Sequence, residues 1–235
     1  MKFFKAFIIL FLLNLSLDIY FNNSEEFYEL RLFTKPLITI LLAIFFYINS
    51  GEMKLRHRIN ILGALVFLCV GDIVLLETMP FYSFILGLVS FLIAMLLYSL
   101  YLYKQTRYDI DRLIPYLAIS LLISLSLIYL MYDKLDSMLI PVIMYMATVL
   151  NLLKLAYLRY KNVNLKSYRL VFIGTCCFTI AQILIGLNRF HEPLPYKDIY
   201  IMFFYGISQL LIILGILAVN CPVENTEQQE DAFLI

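Results

Sequence analysis

The chain has no tryptophan, only two histidines and four cysteines, and little charge: 15% of its 235 residues are Asp, Glu, Lys or Arg. Each scarcity excludes something. Cys69, Cys176, Cys177 and Cys221 form no Cys-x-x-Cys pair, and neither His57 nor His191 stands at metal-ligand spacing from them, so neither a zinc site nor a disulfide framework is expected. No Gly-x-Ser-x-Gly elbow and no His-Glu-x-x-His occurs, which leaves serine-triad and zincin chemistry without support. No cofactor is expected. The net charge is +1 and the basic residues fall in short runs, never in an extended patch, so nucleic acid is not an expected partner.

What the chain has in abundance is apolar surface. It is 63% hydrophobic, with a mean hydropathy of +0.87, far above that of an ordinary soluble domain. The expected class is an all-α polytopic membrane protein. About 20 apolar residues cross the roughly 30 Å hydrocarbon layer, and about eight stretches approach that length: 3 to 21, 32 to 49, 59 to 76, 81 to 103, 113 to 132, 138 to 158, 169 to 187 and 198 to 219. Residues 1–220 are read as one transmembrane domain and 221–235 as an acidic, disordered tail. Lys2 and Lys5 before Phe7–Leu13 imitate a signal peptide, but no small-residue cleavage site follows, so this stretch reads as an uncleaved first span.

Lysine and arginine in the short connections set the expected orientation. Lys2, Lys5, Lys54, Arg56, Arg58, Lys104, Arg107, Arg112, Arg159, Lys161, Lys166 and Arg169 flank one side, against Arg31, Lys134, Arg189 and Lys197 on the other. Both termini are therefore expected in the cytoplasm, with the protein in the cell (inner) membrane. A weak echo hints at two four-helix halves: Gly63 and Gly174 precede polar residues by similar spacings, and Pro36 and Pro141 open the second and sixth spans. Such a repeat would set the third span beside the seventh. Any two apolar helices look somewhat alike, so both readings stay open.

Asp72, inside the run Gly71-Asp72-Ile73-Val74-Leu75-Leu76, is the residue that most needs a reason. A carboxylate near the centre of a spanning helix costs roughly 2.5 to 3.5 kcal/mol on insertion scales, and such residues face a bundle interior or a watered cavity. The expected topology brings other polar residues to the same outer level: Asp18, Thr34 and Lys35, Tyr145, Gln182, Asn188, Tyr205 and Gln209. Lys35 has three readings: it holds a phosphate or carboxylate, it snorkels to the interface, or it pairs directly with Asp72.

The ordered series Phe33-Thr34-Lys35-Pro36-Leu37, Gly63 to Gly71-Asp72, Phe84-x-x-Gly87-x-x-Ser90-Phe91 to Tyr98, Tyr145, Gly174 to Asn188-Arg189-Phe190, and Tyr205-x-x-x-Gln209 resembles the YhhN-like lysoplasmalogenase family, relatives of animal transmembrane protein 86. The resemblance implies eight transmembrane helices and hydrolysis of the vinyl ether bond of lysoplasmalogens, lysophospholipids cleaved to a fatty aldehyde and a glycerophospho-base. That reaction needs a proton donor, and Asp72, a carboxyl set among apolar residues, is the expected general acid. Lys35, Tyr145, Gln182, Asn188, Tyr205 and Gln209 would bind substrate. The chain departs from the family twice. Met95 stands where a histidine is usual, and Ala181-Gln182 where Ser-Asp is usual, leaving Asp18 as the candidate second carboxylate. A non-enzymatic lipid-binding or lipid-transporting protein using the same pocket is the alternative.

Overall fold

The computed structural model describes residues 2–76 and 82–220, and the acidic segment 221–235 lies outside the described residues. Eight α-helices form among the described residues: α1 Lys2–Asn22, α2 Arg31–Asn49, α3 Leu55–Val74, α4 Tyr82–Tyr103, α5 Ile110–Leu135, α6 Leu139–Leu158, α7 Leu165–Phe190 and α8 Lys197–Leu217. Seven helical stretches are long and apolar enough to cross a membrane, one of them the 49 residues of Ile110–Leu158. At about 1.5 Å per residue that stretch is more than twice the thickness of the hydrocarbon layer. It folds back at Asp136, whose φ of 38° breaks the helix, into α5 and α6.

Several helices begin before their apolar runs do. Asn164 accepts the amide of Ser167 at 2.7 Å and starts α7 at Leu165, while Asp109 accepts the amide of Asp111 at 3.1 Å and starts α5 at Ile110. Arg56, His57 and Arg58, which read as a loop, form the first turn of α3. The Arg58 guanidinium lies over the Tyr47 ring and His57 meets Tyr101 edge-on. Charge ends an apolar run without ending a helix, because long basic side chains reach out of the helix end toward polar surroundings.

The helices close into a ring. α1 packs on α2, α2 on α3, α3 on α4, α4 on α6, α6 on α7, α7 on α8, and α8 returns to α1 and also touches α2. α5 stands outside, against α6 and α7. The main core draws buried residues from all seven ring helices and none from α5. In α5 only Met131 and Leu135 are buried, in a small cluster with Met138 and Phe190. Among the described residues α3 and α7 share no contact, so the expected juxtaposition of the third and seventh spans does not occur; α4 meets α6 instead.

The tightest pair is α7 with α8. A Cβ on Gly174 would lie 3.0 Å from the backbone of Ile212 and of Ser208, and one on Gly215 would lie 2.8 Å from the Val171 amide nitrogen. Within lipid, helices gain from van der Waals packing more than from hydrophobic exclusion, and glycine lets the two backbones touch. At the same end of the bundle Arg159, fully buried, donates from Nε and Nη2 to Gln105 Oε1 at 3.0 and 2.6 Å and from Nη2 to Ser167 Oγ at 3.1 Å. Ser167 in turn donates to the Gly215 carbonyl at 2.6 Å. Burial pushes the Arg159 pKa down to about 10, against an opposing pull from Tyr101, so it remains a cation at neutral pH. This network fastens the loops after α4 and α6 to α7 and α8. The intramembrane carboxylates lie toward the opposite end.

Candidate functional site

Where α1 and α3 finish and α2 and α8 begin, four ionisable side chains are buried together: Asp18, Arg31, Lys35 and Asp72. Arg31 and Lys35 are four residues apart on α2 and share one face of it. That face looks at both carboxylates. Asp72, 1% exposed, accepts a hydrogen bond on Oδ2 from Tyr205 Oη at 2.7 Å. Its other oxygen, Oδ1, lies 4.0 Å from Lys35 Nζ and has no hydrogen-bond partner among the described residues. A separation of 4.0 Å is the outer limit of an ion pair and too long for a hydrogen bond. Asp72 therefore has one oxygen held and one open.

Asp18 is held on both oxygens. Arg31 donates from Nε to Oδ1 and from Nη2 to Oδ2, each at 3.4 Å, and Thr34 Oγ1 adds a 2.8 Å hydrogen bond to Oδ1. Asn14, one turn earlier on α1, donates to the Thr34 carbonyl at 2.9 Å. Pro36 stands six positions into α2, deeper than the helix-opening place its sequence suggests, because α2 begins at Arg31. Its carbonyl accepts from Thr39 Oγ1 at 2.9 Å.

Around Asp72 the packing is aromatic. Gly71 leaves room for the Phe91 ring, which a Cβ would meet at 3.1 Å, and Phe91 stands edge-on to Tyr205 with centroids 6.0 Å apart. Gln209, one turn beyond Tyr205 on α8, accepts from Tyr98 Oη at 3.1 Å, and its Nε2 is buried without a partner among the described residues. Met95 is buried one turn before Tyr98 on α4.

The remaining expected residues lie elsewhere. Tyr145 donates to Gln182 Oε1 at 2.7 Å, joining α6 to α7, and both line a cleft of about 110 Å³ between α4, α5, α6 and α7. Phe91 and Leu75 line the same cleft. Asn188 is outside it, accepting the Leu194 amide at 3.2 Å within the connection to α8.

Residues 30–216 match the sequence model of the YhhN family. The chain belongs to the YhhN family. No curated protein and no solved structure matches it. In this YhhN protein the matched stretch contains Arg31, Lys35, Asp72, Tyr205 and Gln209, whereas Asn14 and Asp18 on α1 precede it. The second carboxylate of the cluster is thus supplied from outside the family's matched core. Arg31 is the residue that sequence reasoning passed over, since it reads as one more basic residue at a membrane edge. Its spacing of four from Lys35 was the available signal.

Proposed function

We propose that this protein hydrolyses the vinyl ether bond of lysoplasmalogens within the membrane, with Asp72 as the proton donor. The single observation that carries the reading is the asymmetry of Asp72, in a chain of the YhhN family: Oδ2 is fixed by Tyr205 while Oδ1 has no hydrogen-bond partner among the described residues and faces Lys35. An acid catalyst needs one oriented carboxyl whose protonated oxygen is not committed to another partner. Oδ1 is the oxygen placed to carry the proton.

The chemistry balances with water alone. The proton on Asp72 Oδ1 passes to the outer vinyl carbon, leaving an oxocarbenium at the carbon that bears the ether oxygen. Water adds to that carbon and returns a proton to Asp72. The resulting hemiacetal breaks its bond to the glycerol oxygen, giving a fatty aldehyde and a glycerophospho-base. When Asp72 has given up its proton, the Lys35 ammonium and the Tyr205 hydroxyl face the new carboxylate, which favours the charge-separated transition state over the ground state. This assigns Lys35 to Asp72 and not to a headgroup phosphate. Asp18, held by Arg31 and Thr34, serves to keep α1 on α2 and to balance the second buried cation.

A second reading rests on Gln182 and Met95. The position where the resemblance places a carboxylate holds an amide bonded to Tyr145, and Met95 is buried in apolar packing. A family member in which these changes have removed catalysis would bind the same lipid without cleaving it. The deciding experiment is aldehyde release from a lysoplasmalogen by the purified protein in detergent, wild type beside Asp72→Asn. Activity in the wild type, lost in the variant, supports the hydrolase. Equal activity in both removes Asp72 as the acid, and lipid binding without aldehyde from either supports the second reading. The proposed setting is the cell membrane with both termini in the cytoplasm, which puts the Asp72 cluster in the outer part of the bilayer.

A further inference from the structure

The cleft bounded by α4, α5, α6 and α7 takes no part in the chemistry above, yet it shares a wall with it. Its length follows from the helices that line it. It runs from Phe84 to Phe91 on α4, from Val142 to Leu150 on α6 and from Thr179 to Gly186 on α7. At about 1.5 Å per residue each of these stretches is ~10 to 12 Å long. Apart from Tyr145, Thr179 and Gln182 the lining is aliphatic, aromatic or Met, with one glycine. Thr179 spends its hydroxyl on the Thr175 carbonyl, so the Tyr145–Gln182 pair is the one polar feature that the walls offer.

The cleft's volume of about 110 Å³ compares with the roughly 150 Å³ apolar cavity that admits benzene. It accepts a stretch of one hydrocarbon chain and has no place for a second. An empty apolar cleft beside lipid forfeits dispersion contacts, so chains will fill it. Lipid tails are as apolar as leucine, however, and confer no preference by themselves. Preference has to come from where the polar end of the occupant arrives. Phe91 answers that: one face of its surroundings is the cleft, and its ring also lies on Gly71 and edge-on to Tyr205, which holds Asp72.

We propose that this cleft holds the hydrocarbon chain of a single-chain lipid, and that Phe91 is the partition past which the first carbons of that chain reach Asp72. The proposal rests on the lipid-hydrolase reading for the identity of the polar end. The chain lies along α4 and α6, between walls that α5 and α7 complete. Tyr145 and Gln182, bonded to each other, flank the chain within the cleft.

The experiment uses the full chain in detergent with a lysophospholipid that carries a photoactivatable diazirine in its acyl chain, and peptide mapping of the labelled protein. Labelling is expected on cleft residues such as Met146 and Ile183. Excess unlabelled lysophospholipid should suppress it at least tenfold more effectively than excess two-chain phospholipid. Gly186→Leu should reduce it about tenfold, because a Cβ at Gly186 has only a 3.5 Å contact with Met131 Sδ and the longer side chain extends into the cleft. Met146→Trp is the second variant, should the first fail to fold. Label confined to the outward faces of α1 and α2, or displaced equally by two-chain lipid, overturns the proposal. The two readings fail separately: cleft labelling without aldehyde release removes only the hydrolase, and aldehyde release with no cleft labelling removes only the chain site.

Discussion

Replacing Tyr205 with phenylalanine removes one oxygen from the candidate site and nothing else. The ring stays, with its edge-on packing against Phe91, while the 2.7 Å donor to Asp72 Oδ2 is lost. A hydrogen bond to a charged group contributes about 1.5 to 3 kcal/mol. In the proposed mechanism the bond strengthens as Asp72 becomes a carboxylate, so most of that energy belongs to the transition state. A loss of about 2 kcal/mol corresponds to roughly a 30-fold lower kcat. KM should change little, because the hydroxyl faces the catalyst and not the lipid chain. Lys35→Met should cost more: two unit charges 4.0 Å apart interact by about 4 kcal/mol at an effective dielectric near 20, an upper figure for what the ammonium supplies. The assay is aldehyde release under saturating lysoplasmalogen, with thermal unfolding of each variant in the same detergent. A folded Tyr205→Phe protein that keeps more than a third of the wild-type kcat would refute the assignment of Tyr205 as the group that stabilises the Asp72 carboxylate in the transition state.

Asp18→Asn should act on stability first. It leaves Arg31 buried with no carboxylate, and breaking a buried pair from one side costs about 3 to 5 kcal/mol; a melting temperature in detergent lowered by several degrees is the expected reading, and an unchanged one argues that the Arg31–Asp18 contact contributes nothing. A reporter that is active only in the cytoplasm, fused after Ile235, should be active. Its inactivity, with activity when fused after Lys134, would invert the orientation and place the Asp72 cluster in the inner part of the bilayer.

Hydropathy made the helices legible, because a span must be apolar over a length that the bilayer dictates. It could not say which helices touch. The exclusion of α5 from the ring and the meeting of α4 with α6 arise from packing between faces that are equally apolar in the sequence. This is why Gln182 stands across Phe91 from Asp72 instead of beside it. Depth is written along a helix, whereas azimuth is decided by its neighbours. The Lys35–Asp72 proximity was one of the readings that the sequence offered, since two opposite charges buried at one level seek each other. The Arg31–Asp18 bridge was concealed by position: an arginine at a helix start looks like an interface anchor until the structure turns it inward.

The closure of the ring by α1 and α8 also sets an order of events during insertion. Asp18 and Arg31 are 13 residues apart, so the first carboxylate enters the bilayer in a hairpin that already carries its partner. Asp72 meets Lys35 as soon as α3 packs on α2, but its hydrogen-bond donor lies 133 residues further on, in the last helix. Until α8 arrives the ring is open and Asp72 is only half satisfied. A protein cut short before α8 would thus expose in the membrane a costly acidic group, the kind of feature by which an unfinished chain differs from a finished one.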